Sequence, residues 1–134
     1  MAHRRSWLVL LAALVLVVGA SAVAYATTVT RHQNPHYRVT ASLTPTQASV
    51  GQRLTISFTV TNTTDHSHQV SISYEFDTPS SGEGTASSPI SLAPHTSWKV
   101  TFTRRAREAG AYKAIIRAHD ALGTSHATAT ATAG

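Results

Sequence analysis

A chain of 134 residues with a net charge of +5 is one domain's worth of sequence, with no room for two sizeable cores. It contains no cysteine, which excludes disulfides, thiolate metal sites, a cysteine nucleophile and a lipid-bearing cysteine after the leader. Arg4 and Arg5 carry part of the charge and precede the apolar start, so the remainder is only mildly basic and no nucleic-acid partner is expected.

Met1 to Arg5 is a short basic start, followed by an apolar run from Trp7 to Val18 and small residues ending in Ala24-Tyr25-Ala26. This is the layout of a secretory signal with an Ala-x-Ala cleavage site. The alternative is an uncleaved apolar helix, since Trp7 to Ala26 carries no charge and about 20 helical residues just cross a bilayer. The short apolar core favours cleavage, and either reading exports the rest. Residues 1–26 are thus expected to be a signal peptide or membrane anchor. Residues 27–36 are expected to be a polar linker, and residues 37–134 the domain.

Tyr37 to Leu43 alternates apolar and polar side chains and predicts a first strand ended by Pro45. Gly51, in the connection that follows, is able to take a positive φ. Arg53 to Thr61 is the clearest strand of all. Leu54, Ile56, Phe58 and Val60 fall on one side, with Thr55, Ser57, Thr59 and Thr61 on the other. A turn over 62–67 leads to a strand from Gln69 to Phe76, which places Val70, Ile72, Tyr74 and Phe76 inward.

Asp77 to Ser88 has no apolar pattern and predicts a long exposed loop, with room for a short edge strand. Ile90 and Leu92 share a face, and Ser97 to Thr103 points Trp98, Val100 and Phe102 inward. A charged corner closed by Gly110 precedes a strand from Ala111 to His119, and Asp120 to Gly123 turns the chain into a final Ala-Thr strand. Trp98 and Tyr112 keep register with aliphatic neighbours and are read as core. The Tyr112 hydroxyl is expected to bond backbone. About seven short strands spaced by turns predict an all-β, immunoglobulin-like antiparallel β-sandwich.

Three stretches resemble bacterial immunoglobulin-like surface modules, in particular the adhesion-related CARDB domains. They are Ser49-Val-Gly-Gln-Arg-Leu-Thr-Ile-Ser-Phe-Thr-Val-Thr-Asn62, Ser91-Leu-Ala-Pro-His-Thr-Ser-Trp-Lys-Val-Thr-Phe-Thr103, and Ala109-Gly-Ala-Tyr112 with Asp120-Ala-Leu-Gly123. The resemblance covers about residues 37–133. It implies a sandwich that works by contact at a bacterial cell surface.

Chemistry-bearing residues are sparse. No nucleophile elbow is present, so no enzyme activity and no cofactor are expected. Seven histidines follow the leader: His32, His36, His66, His68, His95, His119 and His126. His66 and His68, two apart at a strand end, with His95 or His126, define the alternative reading, a metal-handling domain for copper or zinc. Arg104, Arg105 and Arg107, with Lys113 and Arg117, are candidates for one basic contact patch. Asn62-Thr-Thr64 matches a glycosylation acceptor. The leading expectation is a non-catalytic, secreted or membrane-anchored module that contacts a protein or surface polymer. The end loops, above all 77–88, are its expected contact surface.

Overall fold

The computed structural model describes residues 28–29, 34–87 and 89–134, and the leader with its expected apolar helix lies outside them. In chain order the strands are β1 (Thr28–Val29), β2 (Tyr37–Thr44), β3 (Gln47–Ala48), β4 (Arg53–Asn62) and β5 (His68–Asp77). After them come β6 (Gly82–Ala86), β7 (Ile90–Leu92), β8 (Ser97–Arg105), β9 (Gly110–Asp120) and β10 (Gly123–Ala133).

The strands form two layers. The smaller is ordered β2-β4-β8, and the larger runs β1-β10-β9-β5-β6, with β3 on β10 and β7 on β5. All pairings are antiparallel except that of β3 with β10. The protein is therefore an all-β, immunoglobulin-like sandwich.

β4 is central to the smaller layer because both its edges are used and its inner face is aliphatic or aromatic from Leu54 to Val60, ending in the buried Asn62. Leu54, Ile56, Phe58 and Val60 are each 0% exposed. In register, Val39 and Trp98 flank Val60, Ala41 and Val100 flank Phe58, and Leu43 and Phe102 flank Ile56. Such cross-strand apolar groups are what stabilise a sheet. Opposite them lie Val70, Ile72 and Phe76 of β5 and Tyr112, Ala114, Ile116 and Ala118 of β9. The Ala-Thr repeat of β10 supplies Ala127, Ala129, Ala131 and Ala133 to this core, all buried. With so little side chain at those positions, β10 is held chiefly by its backbone ladder with β9, and the strict alternation sets which face it buries.

Three short strands join the expected seven. β6 lies within the stretch expected to be loop. All its residues are exposed, yet it pairs with β5 from Asp77↔Gly82 to Ser73↔Ala86. β1 pairs with β10, and Asn34 is buried, so parts of the 27–36 stretch are held by the domain. β3 adds a two-residue parallel pairing at the end of β10.

Candidate functional site

The sandwich is closed unevenly. Among the described residues β8 pairs only with β4, and β6 pairs only with β5, so each layer ends in a free edge on this side. Between the two edges runs an open cleft of about 220 Å³ lined by Tyr74, Phe76, Glu83, Val100, Phe102 and Arg104 among others. Trp98, Val100 and Phe102 face inward as expected but are only half-buried, because no further strand covers them. They form an aromatic group with Tyr74: ring centres lie 5.9 Å from Tyr74 to Phe102, 6.2 Å from Tyr74 to Trp98 and 5.3 Å from Tyr74 to Phe58.

Across the mouth, Arg104 Nε donates to Glu83 Oε1 at 2.6 Å, while its guanidinium lies 4.8 Å from the Phe102 ring centre. One ion pair therefore joins the edges of the two layers. The cleft continues along Thr78, Ser81 and Arg105 and opens round the corner onto Ser80, Arg107, Glu108 and Tyr112.

The corner is built rigidly. The Tyr112 hydroxyl donates to the Glu108 carbonyl at 2.6 Å and accepts from the Glu108 N–H at 3.3 Å, the backbone bonding expected of a tyrosine at a sandwich corner. The Glu108 carboxylate accepts from the Ser80 N–H and hydroxyl, which ties the 78–81 turn to the corner. Gly110 closes it at φ 133°, a conformation that a side chain would strain.

The basic residues do not form one patch. Arg104, Arg105 and Arg107 surround the 78–81 turn, where Arg105 Nη1 donates to the Gly51 carbonyl at 2.8 Å. Lys113 and Arg117 lie on the outward side of β9, where Arg117 donates to Glu75 at 2.9 Å. The alternation along β9 that buries Tyr112 and Ala114 sends these two to the other outer surface.

The histidines are likewise dispersed. His68 stacks on His36, ring centres 3.9 Å apart, and His36 Nδ1 donates to Asp120 Oδ2 at 2.8 Å. His66 is exposed in the turn, His95 bonds Asp65 at 2.7 Å, and His126 sits opposite Arg117 on β10. Among the described residues no three His, Asp or Glu side chains converge on a point where a metal would bind.

The far end of the sandwich holds a polar cluster that sequence reading missed, because its members are distant along the chain. Asp120 accepts from His36, from the Asn34 amide and from the Leu122 N–H, with its side chain only 13% exposed. Burial raises its pKa, but the hydrogen bonds from His36, Leu122 and Asn34 outweigh that and hold the carboxyl below its ordinary value. Burial, then the charge of Asp120, pushes the Tyr37 phenol up to about 12.

Asn62 is also different from its sequence reading. It is 0% exposed, donates to the carbonyls of His66 and Leu92, and accepts from the Thr64 N–H and hydroxyl. A side chain buried and bonded in this way is a turn-holding group, and its amide is closed to glycosylation in the folded domain.

No family model and no curated protein matches the chain. Solved structures do. The CARDB domain of the PF1109 protein from Pyrococcus furiosus, in complex with di-metal ions, superposes with a TM-score of 0.50 at 11% identity, covering 76% of this chain and 97% of that one. The alkylpurine DNA glycosylase AlkC from Pseudomonas fluorescens, bound to DNA containing an abasic site analog, gives 0.51 at 14% identity, covering 73% of this chain. The match spans only 30% of the glycosylase. At such identities the likeness is one of fold, and it is to a CARDB-like immunoglobulin fold.

Proposed function

We infer that the chain is a non-catalytic, exported immunoglobulin-like module that contacts a polypeptide partner through the mouth between β8 and β6. The observation that carries this reading is the pair of free edges over half-buried Tyr74, Trp98 and Phe102, bridged by the Glu83–Arg104 pair. A free edge offers backbone donors and acceptors to an added strand, and the aromatic cleft beside β8 takes alternate apolar side chains. Arg107, exposed and unpaired among the described residues, favours a strand with an acidic flank. The basic start, apolar run and Ala24-Tyr25-Ala26 of the sequence support export, with such contacts made outside the cell, either in the medium or at the membrane.

Photo-crosslinking of the full chain in its native host tests the reading. A benzophenone side chain at Thr85 or Ser80 should give defined protein adducts, while one at Thr130, exposed on β10, should not. Equal labelling at all three sites, or none at the mouth, would count against it. Export is tested by the N-terminal residue of the mature protein: Thr27 means cleavage after Ala26, whereas retention of Met1 on membrane-bound protein means an anchor.

A further inference from the structure

The outward side of the β2-β4-β8 layer carries a charge pattern separate from the Glu83–Arg104 pair and the aromatic cleft. Side chains alternate along a strand, so every second residue of the three strands points to this one surface. On β4 they are Arg53, Thr55, Ser57, Thr59 and Thr61. On β2 and β8 the outward residues are again only serine, threonine, lysine or arginine. The surface thus holds four cations, Arg38, Arg53, Lys99 and Arg105, among hydroxyls, with no carboxylate, no apolar side chain and no aromatic ring.

Arg53 and Arg105 are directly opposite each other in the β4–β8 ladder. Like charges in that position repel and destabilise a sheet, and here no carboxylate on the face relieves them. An anion held between two guanidiniums removes the repulsion and receives paired N–H donors. Lys99 lies further along β8, about 20 Å from Arg105 at roughly 3.4 Å per residue, with Thr101 and Thr103 between them on the same side. Serine and threonine hydroxyls both donate and accept, so the strip between the cations matches a hydroxyl-bearing ligand. A protein partner would need apolar contact at the centre of its interface, and a single-stranded nucleic acid would need rings for its bases to stack on. The surface offers neither.

We propose that this face binds a linear acidic polysaccharide, with one anionic group between Arg53 and Arg105, another at Lys99, and sugar hydroxyls over the Ser/Thr strip. Binding depends on surface cations, so it weakens as salt is added.

The test is retention of the full-length protein on immobilised polygalacturonate, dextran sulfate and neutral dextran, with single-stranded DNA as competitor. Polygalacturonate or dextran sulfate should retain the protein, the two separating carboxylate from sulfate preference, while neutral dextran should not. Arg53→Gln with Arg105→Gln should weaken retention about tenfold or more, and Lys99→Gln with Arg38→Gln should also weaken it. Lys113→Gln with Arg117→Gln removes the same charge from the other outer surface and should leave binding unchanged. Thermal unfolding of each variant confirms that it is folded. Equal loss in the Lys113/Arg117 variant means attraction to net charge alone, and competition by DNA at equal strength means a nucleic-acid surface. Either outcome overturns the proposal, as does retention by neutral dextran. Neither bears on the mouth, whose crosslinking is read separately.

Discussion

Glu83 and Arg104 meet across the mouth of the sandwich, one from each layer, and theirs is the ion pair that links the two free edges. Both side chains are about half exposed, at 51% and 47%, so solvent screens the pair and its loss costs little stability. Glu83→Gln is expected to lower the unfolding free energy by less than about 1 kcal/mol. The same change frees Arg104 from its only carboxylate partner among the described residues. It should therefore raise crosslinking at Thr85 if the pair competes with the polypeptide. Unchanged crosslinking would mean that the pair does not gate the mouth.

Tyr112 holds the corner through backbone atoms of Glu108 alone, with its own ring 1% exposed. Tyr112→Phe keeps the ring packing, including the stack on Phe76, and removes the hydroxyl. A destabilisation of about 1–2 kcal/mol is expected from urea unfolding, because the Glu108 carbonyl and N–H lose a partner. A neutral result would show that water replaces the hydroxyl.

Asn62 donates to the carbonyls of His66, Leu92 and Ala93 and accepts from a backbone N–H at the β4–β5 turn, from a fully buried position. Asn62→Ala should cost about 2–4 kcal/mol, since several buried groups are orphaned together. Asn62→Asp should not rescue it, because a carboxylate cannot donate to the His66 and Leu92 carbonyls. Thermal unfolding of both variants measures this.

Gly110 combines a positive φ with a close neighbour: a Cβ there would lie 2.7 Å from Pro79 Cγ. Gly110→Ala is expected to destabilise by about 1–3 kcal/mol. The proline is in the 78–81 turn, so the strain should also appear as faster amide exchange at Ser80 and Ser81.

Two groups of the far-end cluster set opposite pH limits. The folded pKa of Asp120 lies below its unfolded value, so its contribution is complete above about pH 4 and is lost as pH falls through the folded value. The urea midpoint should drop on acidification, and the difference between wild type and Asp120→Asn should shrink with it. The Tyr37 phenol, pushed up to about 12, acts in the reverse sense. Its stabilisation is full below about pH 10 and is lost as the pH rises toward 12. In an ultraviolet phenolate titration, Tyr37→Phe should remove a component that titrates near pH 12.

Much of this fold is legible along the chain because each informative signal is local. The alternation from Leu54 to Val60 names both the strand and its inner face, and the same period marks β2, β5, β9 and β10. Gly51 and Gly110 stand where the structure has positive φ, and Tyr112 bonds backbone at a corner already marked by charge and glycine. β6 is the short edge strand for which the 77–88 loop left room, but its bounds are not legible because it has no apolar pattern and is defined by pairing with β5. The five candidate basic residues separate into Arg104 at the mouth, Arg105 and Arg107 around the 78–81 turn, and Lys113 and Arg117 on the outer side of β9, which composition does not distinguish. Asn62, polar and beside a turn, looks exposed from sequence, and only the carbonyls of Leu92 and His66 explain its burial.

The sequence alone determined that alternating short strands bury one greasy side each, since burial of apolar surface acts residue by residue along an extended chain. Tertiary structure decided which edges stay unpaired and which side chains become neighbours. Pairing of His36 with Asp120, or of Arg53 with Arg105, depends on strand register between segments tens of residues apart, and no local period encodes it.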